Sequence, residues 1–206
     1  MHMNYCKNQI LEHILARRSV RSYTAQPVRD EELRQILLAG ICAPSAHDSR
    51  PWKIAALTTP QGKERLTLAL AARFREDMLA AGFGPQELER RLQRSQAILT
   101  QAPVLIVLFA RRQSPHNPLA KTGETERLLT AQSVALAAGQ MLLAASGLGL
   151  GACWFAAPLF CPGEVCNVCE VEQADWEPQC LLTIGHPAQQ PKAKATPCLK
   201  DSVVYL

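Results

Sequence analysis

Arg17-Arg18-Ser19-Val20-Arg21-Ser22-Tyr23, followed by Ala43-Pro44-Ser45-Ala46-His47-Asp48-Ser49-Arg50-Pro51-Trp52, is the pair of stretches on which the reading of this chain turns. The first sets three guanidinium groups and two serine hydroxyls within seven residues. Such a run suits a phosphate together with the edge of a polar heterocycle, because guanidinium donors match both in plane and in charge. Just upstream, Ile10, Leu11, Ile14 and Leu15 recur at helical spacing, so a first helix is expected to end near Arg17 and to present the basic run at its exit. After Pro27, Leu33, Ile36, Leu37 and Ile41 mark a second helix that stops before Pro44. Asp30, Glu31 and Glu32 favour its first turn.

Further along, Trp52–Leu57 reads as a strand, and Gln61 to Gln101 as a charged helical region divided at Gly82-Phe83-Gly84-Pro85. On its second piece Glu87 and Arg91 stand one turn apart and can pair. Val104–Phe109 is a continuous apolar, β-branched run, which predicts a strand buried on both faces. Arg111 to Gly123, with Pro115 and Pro118, is expected to be a loop able to cover a pocket. Glu124–Ser146 follows as a long buried helix, then a strand at Gly151–Phe155, a short helix at Pro162–Val168 and a strand at Cys180–Ile184. This order lacks a regular βαβ rhythm, so an α+β sandwich with a mixed sheet is favoured over a doubly wound fold. No dinucleotide fingerprint opens a helix, since Gly147-Leu148-Gly149-Leu150-Gly151 closes one.

The 206 residues suit one domain, 1–206, with no linker long enough to divide it. The 22 Lys and Arg against 18 Asp and Glu leave a net charge of +4, with the basic residues dispersed, so no nucleic-acid partner is expected. Leu128 to Gly163 carries no charged residue, yet Gln132, Ser133, Gln140 and Ser146 interrupt it and glycines break it. No membrane span is expected, and the helix is assigned to the core or to a subunit interface. Met1–Ile10 does not read as a signal peptide, and a cytoplasmic location with mostly free thiols among the eight cysteines is expected. Cys161, Cys166 and Cys169 have the spacing of three ligands of an iron-sulfur site. The Pro162-Gly163-Glu164-Val165 run between them looks instead like a helix start, on which Cys166 and Cys169 serve as small buried apolar residues, so no metal site is assigned.

The two opening motifs resemble the FMN-binding signature of the nitroreductase family, in which Arg-Arg-Ser-x-Arg-x-aromatic precedes Pro-Ser-x-x-Asn-x-Gln-Pro-Trp. The likeness runs on through Gly147–Trp154 and through Asp175–Pro178 with Leu181–Pro187, segments similar to the branch that includes the flavin domain of the deazaflavin glutamyl ligase. The resemblance implies a nitroreductase-like α-β-α sandwich with a mixed, mainly antiparallel sheet, in an intertwined homodimer with FMN at the interface. It also implies that the tail, 187–206, docks on the partner subunit.

Residue by residue, the resemblance assigns Arg17, Arg18 and Ser19 to the FMN phosphate and ribityl chain and Arg21 to the pyrimidine edge. Pro44, Ser45, Ala46 and Asp48 would flank the ring from the other subunit, and Ala156 and Ala157 would approach N5 and O4. Lys192 and Lys194 would close on the phosphate. Asp48 stands where the family usually has Asn and Arg50 where it often has Gln, so an ion pair between them is expected to compensate. His47 is taken as structural or exposed, and no side chain is assigned as catalytic, because in such enzymes the cofactor carries the hydride chemistry. The implied activity is an FMN-dependent oxidoreductase passing two electrons from NADPH or NADH to a nitroaromatic, quinone or related small-molecule acceptor. The alternative is a specialised flavin-binding domain that acts on a deazaflavin precursor or other dedicated substrate without general reductase activity.

Overall fold

The computed structural model describes residues 8–112, 123–192, 195, 198, 200 and 202–206. Helices α1 (Gln9–Ala16), α2 (Asp30–Ile41), α3 (Pro60–Ala80), α4 (Pro85–Gln101), α5 (Gly123–Gly147) and α6 (Pro162–Cys169) surround strands β1 (Trp52–Leu57), β2 (Val104–Arg111), β3 (Gly151–Phe155) and β4 (Trp176–Gly185). The sheet order is β1-β2-β4-β3, with every strand pair antiparallel. A parallel element enters through one isolated bridge, Ser19 to Ala152.

Alternation along the two central strands builds the layers. Val104, Ile106, Leu108 and Ala110 of β2, with Cys180, Leu182 and Ile184 of β4, face α2 and α5. Leu105, Val107 and Phe109, with Leu181, face the opposite layer, where Leu66 and Leu70 of α3, Leu99 of α4 and Val165 and Cys166 of α6 pack. The sheet is therefore covered on both sides, and each fully buried Leu, Ile or Phe contributes about 1.5–3 kcal/mol. α3 and α4 form a hairpin with its own small core of Met78, Leu88 and Leu92. Its exposed side carries the expected Glu87–Arg91 pair, at 2.5 Å.

Two elements differ from expectation. β4 begins at Trp176 rather than Cys180, because a bulge opposite Leu108 and Phe109 lets Pro178 sit inside a strand without a ladder donor. The early part is fastened by its side chains: Lys53 and Arg111 lie over the Trp176 ring, and Arg127 grips the buried Glu177 carboxylate at 2.6 and 2.9 Å. The second is α5, which is long and apolar enough to cross a membrane but packs as a core helix along one stripe. Val134, Ala137, Ala138, Met141 and Ala145 are buried, whereas Leu128 and Leu136 are more than half exposed.

α2 starts with a reach-back from its third residue to the N-cap. The Glu32 carboxylate accepts from Arg29 N at 2.9 Å and from the Arg29 guanidinium at 2.7 Å. These bonds hold its pKa below the ordinary carboxylate value. A depressed folded pKa gives stability that is complete above about pH 4.3 and is lost as pH falls through the folded value. Glu32→Gln should therefore be less stable than the parent at pH 7 and lose less on going to pH 3. Urea midpoints that fall equally in both proteins would refute this role.

Candidate functional site

The basic motif is placed by three neighbours. The side chain of Asn8 caps α1, accepting from Ile10 N and Leu11 N at 3.0 and 3.3 Å. Arg17 then leaves the helical backbone with ψ 136°. The Arg18 guanidinium donates to the Leu15 and Arg17 carbonyls at 2.6 and 2.8 Å, a fitting place for a cation at a helix C-terminus. Beyond it Ser19 pairs with Ala152, and Val20 N donates to Ala152 O at 3.0 Å, laying the motif along β3. A β-carbon on Gly151 would lie 2.7 Å from the Val20 side chain, so only glycine admits this approach. Tyr23 is the anchor: its buried hydroxyl donates to Val20 O at 2.5 Å and pairs with Thr183 Oγ1 at 2.6 Å. Burial pushes its phenol pKa above the ordinary value, so the group stays neutral.

Arg17 and Ser19 thereby reach the end of a cleft of about 490 Å³. Ala135, Leu136, Gly139, Gln140, Leu142 and Leu143 of α5, with Trp154 of β3, complete it. The arrangement is an apolar floor closed by a cation and a hydroxyl, which suits a flat heteroaromatic bearing an anionic tail. Arg21 is exposed, is not among the residues that line the cleft, and acts electrostatically on a buried neighbour. Burial raises the Cys153 thiol pKa, while Arg21, a hydrogen bond with Ser19, and Arg17 pull it back. Arg17, Ser19 and Arg21 thus all favour the thiolate form of this one β3 residue.

The second motif forms a tight loop after α2. Asp48 N donates to Ser45 O, Arg50 N to Ser45 Oγ at 2.9 Å, and Ser49 Oγ to Ala46 O at 2.6 Å. Three non-glycine residues, His47, Asp48 and Arg50, hold φ values of 54°, 51° and 46°. Left-handed backbone at such residues costs on the order of 1–2 kcal/mol each and persists where surrounding contacts over-determine it. The expected Asp48–Arg50 ion pair is present at 3.2 Å, with both side chains mostly exposed. Ala46 N is held by Ser133 Oγ at 3.2 Å. His47 is exposed.

Ala156 and Ala157 stand at the start of a short 3-10 turn directly after β3, Ala156 exposed and Ala157 half-buried. The Lys192 carbonyl accepts from Arg18 Nε at 3.3 Å, while Lys194 lies outside the described residues, as does most of the expected Arg111–Gly123 covering loop. Pro187 pairs with Tyr23 and Ala188 N donates to Ser22 O, so the tail begins against its own chain's motif. Its end, Val203–Leu206, is exposed. Cys161 and Cys166 are buried, the latter with its thiol toward Trp176 O at 3.8 Å. Among the described residues, no three His, Cys, Asp or Glu side chains gather as metal ligands. The floor residues of the cleft carry no motif. Their signal is the spacing 136, 139, 140, 143 along one face of α5, with Gln140 as the polar member of an apolar stripe.

The nitroreductase family model matches residues 14–186. An NADH dehydrogenase of Thermus thermophilus is 38% identical over 96 residues, 47% of this chain and 36% of that protein. An NADPH-flavin oxidoreductase of Vibrio harveyi is 28% identical over 195 residues, 91% of this chain and 69% of the relative. The chain spans 36%, 61% and 29% of the length of three curated relatives that it matches. A Desulfovibrio desulfuricans protein, assigned to the nitroreductases and crystallised with FMN, superimposes with a TM-score of 0.73 at 26% identity, covering 98% of this chain and 99% of its own. A BluB-like flavoprotein of Clostridium difficile shares the fold with a TM-score of 0.79 at 20% identity, over 96% and 98% of the two chains. The family model covers most of the chain, and the arginine motif, the glycine-admitted contact with β3 and the α-β-α sandwich all lie within the matched span: this protein belongs to the nitroreductase family.

Proposed function

We propose that the protein is an FMN-dependent oxidoreductase that moves two electrons from NADPH or NADH to a nitroaromatic, quinone or related small acceptor. The observation that carries the reading is the cleft in which Arg17 and Ser19 close an apolar floor of α5 and Trp154. Its donor set fits FMN: a cation and a hydroxyl for the phosphate and ribityl chain, and an apolar surface for the ring. The FMN complex of the Desulfovibrio relative and the NADPH-flavin oxidoreductase of Vibrio harveyi support the same cofactor and donor.

FMN supplies the two-electron chemistry when bound. Arg17 and Ser19 bind its anionic end, with Arg18 tying the tail at Lys192 against the same motif. Arg21 holds a fixed positive charge for the pyrimidine edge, where reduction leaves negative charge; preorganised charge of this kind is worth most in a site that excludes water. Leu136, Leu143 and Trp154 give that site its apolar lining. The backbone amides of Ala156 and Ala157 are the donors proposed for N5 and O4.

A second copy of the chain completes the site, presenting Pro44, Ser45, Ala46 and Asp48 to the ring. The exposed apolar side chains on α1 (Ile10, Ile14), α2 (Leu38, Ile41) and α5 (Leu128, Leu136) form the surface it covers. The described cysteines are all free thiols, which suits a reducing, cytoplasmic setting.

The test is the absorbance spectrum of the purified protein before and after anaerobic NADPH, then NADH. Flavin bands that bleach support the reductase; bands that neither donor bleaches move the assignment to a dedicated-substrate flavin domain; no uptake of added FMN overturns the reading. Arg21→Ala should weaken FMN retention or make its two-electron reduction less favourable. Wild-type affinity, potential and turnover in that variant would remove Arg21 from its role.

A further inference from the structure

We infer that Ser133 is a positioning residue for the flavin-facing loop, acting through the Ala46 amide; the inference rests on the FMN reading above. Ser133 interrupts the apolar run of α5, is 2% exposed, and sits on the helix face turned toward the loop. Its hydroxyl donates to Leu129 O at 2.8 Å and accepts from Ala46 N at 3.2 Å. The first bond fixes the hydroxyl rotor, so its lone pair is aimed at the loop, and the second secures the backbone at the first residue of the left-handed turn.

The loop needs such a clasp. His47, Asp48 and Arg50 are all left-handed, and none is glycine, so the free loop is biased against this shape. Two serine hydroxyls oppose that bias from its two ends: Ser133 holds Ala46 N and Ser45 holds Arg50 N at 2.9 Å. Between them lie the residues proposed to flank the flavin ring. Ser133 itself belongs to the helix beneath, so its effect on the cofactor is transmitted by the loop backbone. Without the hydroxyl, Ala46 N loses its acceptor and the loop relaxes toward right-handed or extended backbone, carrying Asp48 away from the ring.

The experiment compares wild type, Ser133→Ala, Ser133→Thr and Ser133→Cys by FMN titration of the apoprotein, the two-electron midpoint potential of the bound flavin, and thermal unfolding of the apoprotein. Ser133→Ala is expected to weaken FMN binding about tenfold, equivalent to about 1.4 kcal/mol, and to shift the potential, with Ser133→Thr restoring both. A purely structural role would lower the unfolding temperature and leave affinity and potential in place, which overturns the inference. Ser133→Cys, which keeps the volume but offers only a weak sulfur acceptor to Ala46 N, reads the same clasp if Ser133→Ala fails to fold, and must shift the same two quantities. Wild-type protein that takes up no FMN overturns the site reading itself, and with it this inference; uptake by wild type with unchanged variants overturns the inference alone.

Discussion

Gly151→Ala is expected to weaken FMN binding by at least tenfold and to lower the denaturation midpoint of the apoprotein. The added β-carbon would stand 2.7 Å from Val20 Cβ and Cγ1 and 2.9 Å from Cγ2, inside any real carbon contact. Neither partner can yield cheaply. Val20 is β-branched and stiff at χ1, and its amide is bonded to Ala152 O at 3.0 Å. Gly151 is itself paired with Gly185 in the β3–β4 ladder. Relief therefore comes from moving the motif strand off β3, which displaces Ser19 and Arg21 on either side of Val20. Overpacking of this kind costs about 1–3 kcal/mol, and a tenfold loss of affinity needs only about 1.4 of it. Adding Val20→Gly removes the opposing carbon and should recover part of the loss. FMN affinity unchanged in Gly151→Ala would show that the close approach of Val20 to β3 does not set the arginines.

Much of this arrangement was legible before the fold. β2 announced itself as a strand buried on both faces because its run has no polar residue from Val104 to Phe109, and the sheet indeed places alternate residues in the two cores. α1, α2 and the break at Gly82–Pro85 followed from spacing, acidic first turns and breakers, which are local signals. The start of β4 was not legible. Pro178 argues against a strand interior, and what permits it is a bulge at the neighbouring Gln179, which forms only against a partner strand nearly seventy residues away in sequence. The half-buried character of α5 was equally hidden, since uniform apolarity does not say which stripe meets the sheet and which is left for another surface.

At the site, the motif residues were visible and their partners were not. Arg17 and Ser19 line the cleft as the basic run suggests, but the floor comes from α5 residues that look like ordinary core. The Arg18 guanidinium closes the end of α1 and meets the Lys192 carbonyl, a tertiary contact across 174 positions that no spacing rule contains. His47, Asp48 and Arg50 adopt left-handed backbone at positions where composition predicts no such thing, because glycine is the usual sign of it. The Ser133 clasp explains how the loop is held, and its only trace in the sequence is a hydroxyl where an apolar helix has no need of one.

Gly185→Ala is expected to destabilise the protein by about 3 kcal/mol, while Gly40→Ala changes stability by about 1 kcal/mol or less, although both place a β-carbon into an occupied space. The difference lies in what each carbon meets. At Gly185 it would stand 2.4 Å from Pro103 Cδ and 2.9 Å from Tyr23 Cδ1. The pyrrolidine ring is locked to the backbone entering β2, and the tyrosine ring is held at its hydroxyl by Val20 and Thr183. At Gly40 the carbon would meet one side chain first, Met141, with its terminal methyl nearest and Cγ at 2.9 Å, and that side chain has three rotatable bonds. Met141 is fully buried but flexible and can repack, and replacing a glycine in the last turn of α2 by alanine returns part of the roughly 1 kcal/mol of helix propensity toward that cost. The Gly185 substitution also presses on Tyr23, the anchor of the arginine motif, so its loss of stability should come with weakened FMN retention, whereas Gly40→Ala should retain the flavin. Urea denaturation of the two apoproteins, with FMN titration alongside, decides it: equal midpoints would mean that the stiffness of the opposing side chain does not govern these sites, and intact FMN binding in Gly185→Ala would uncouple Tyr23 from the placement of the arginines.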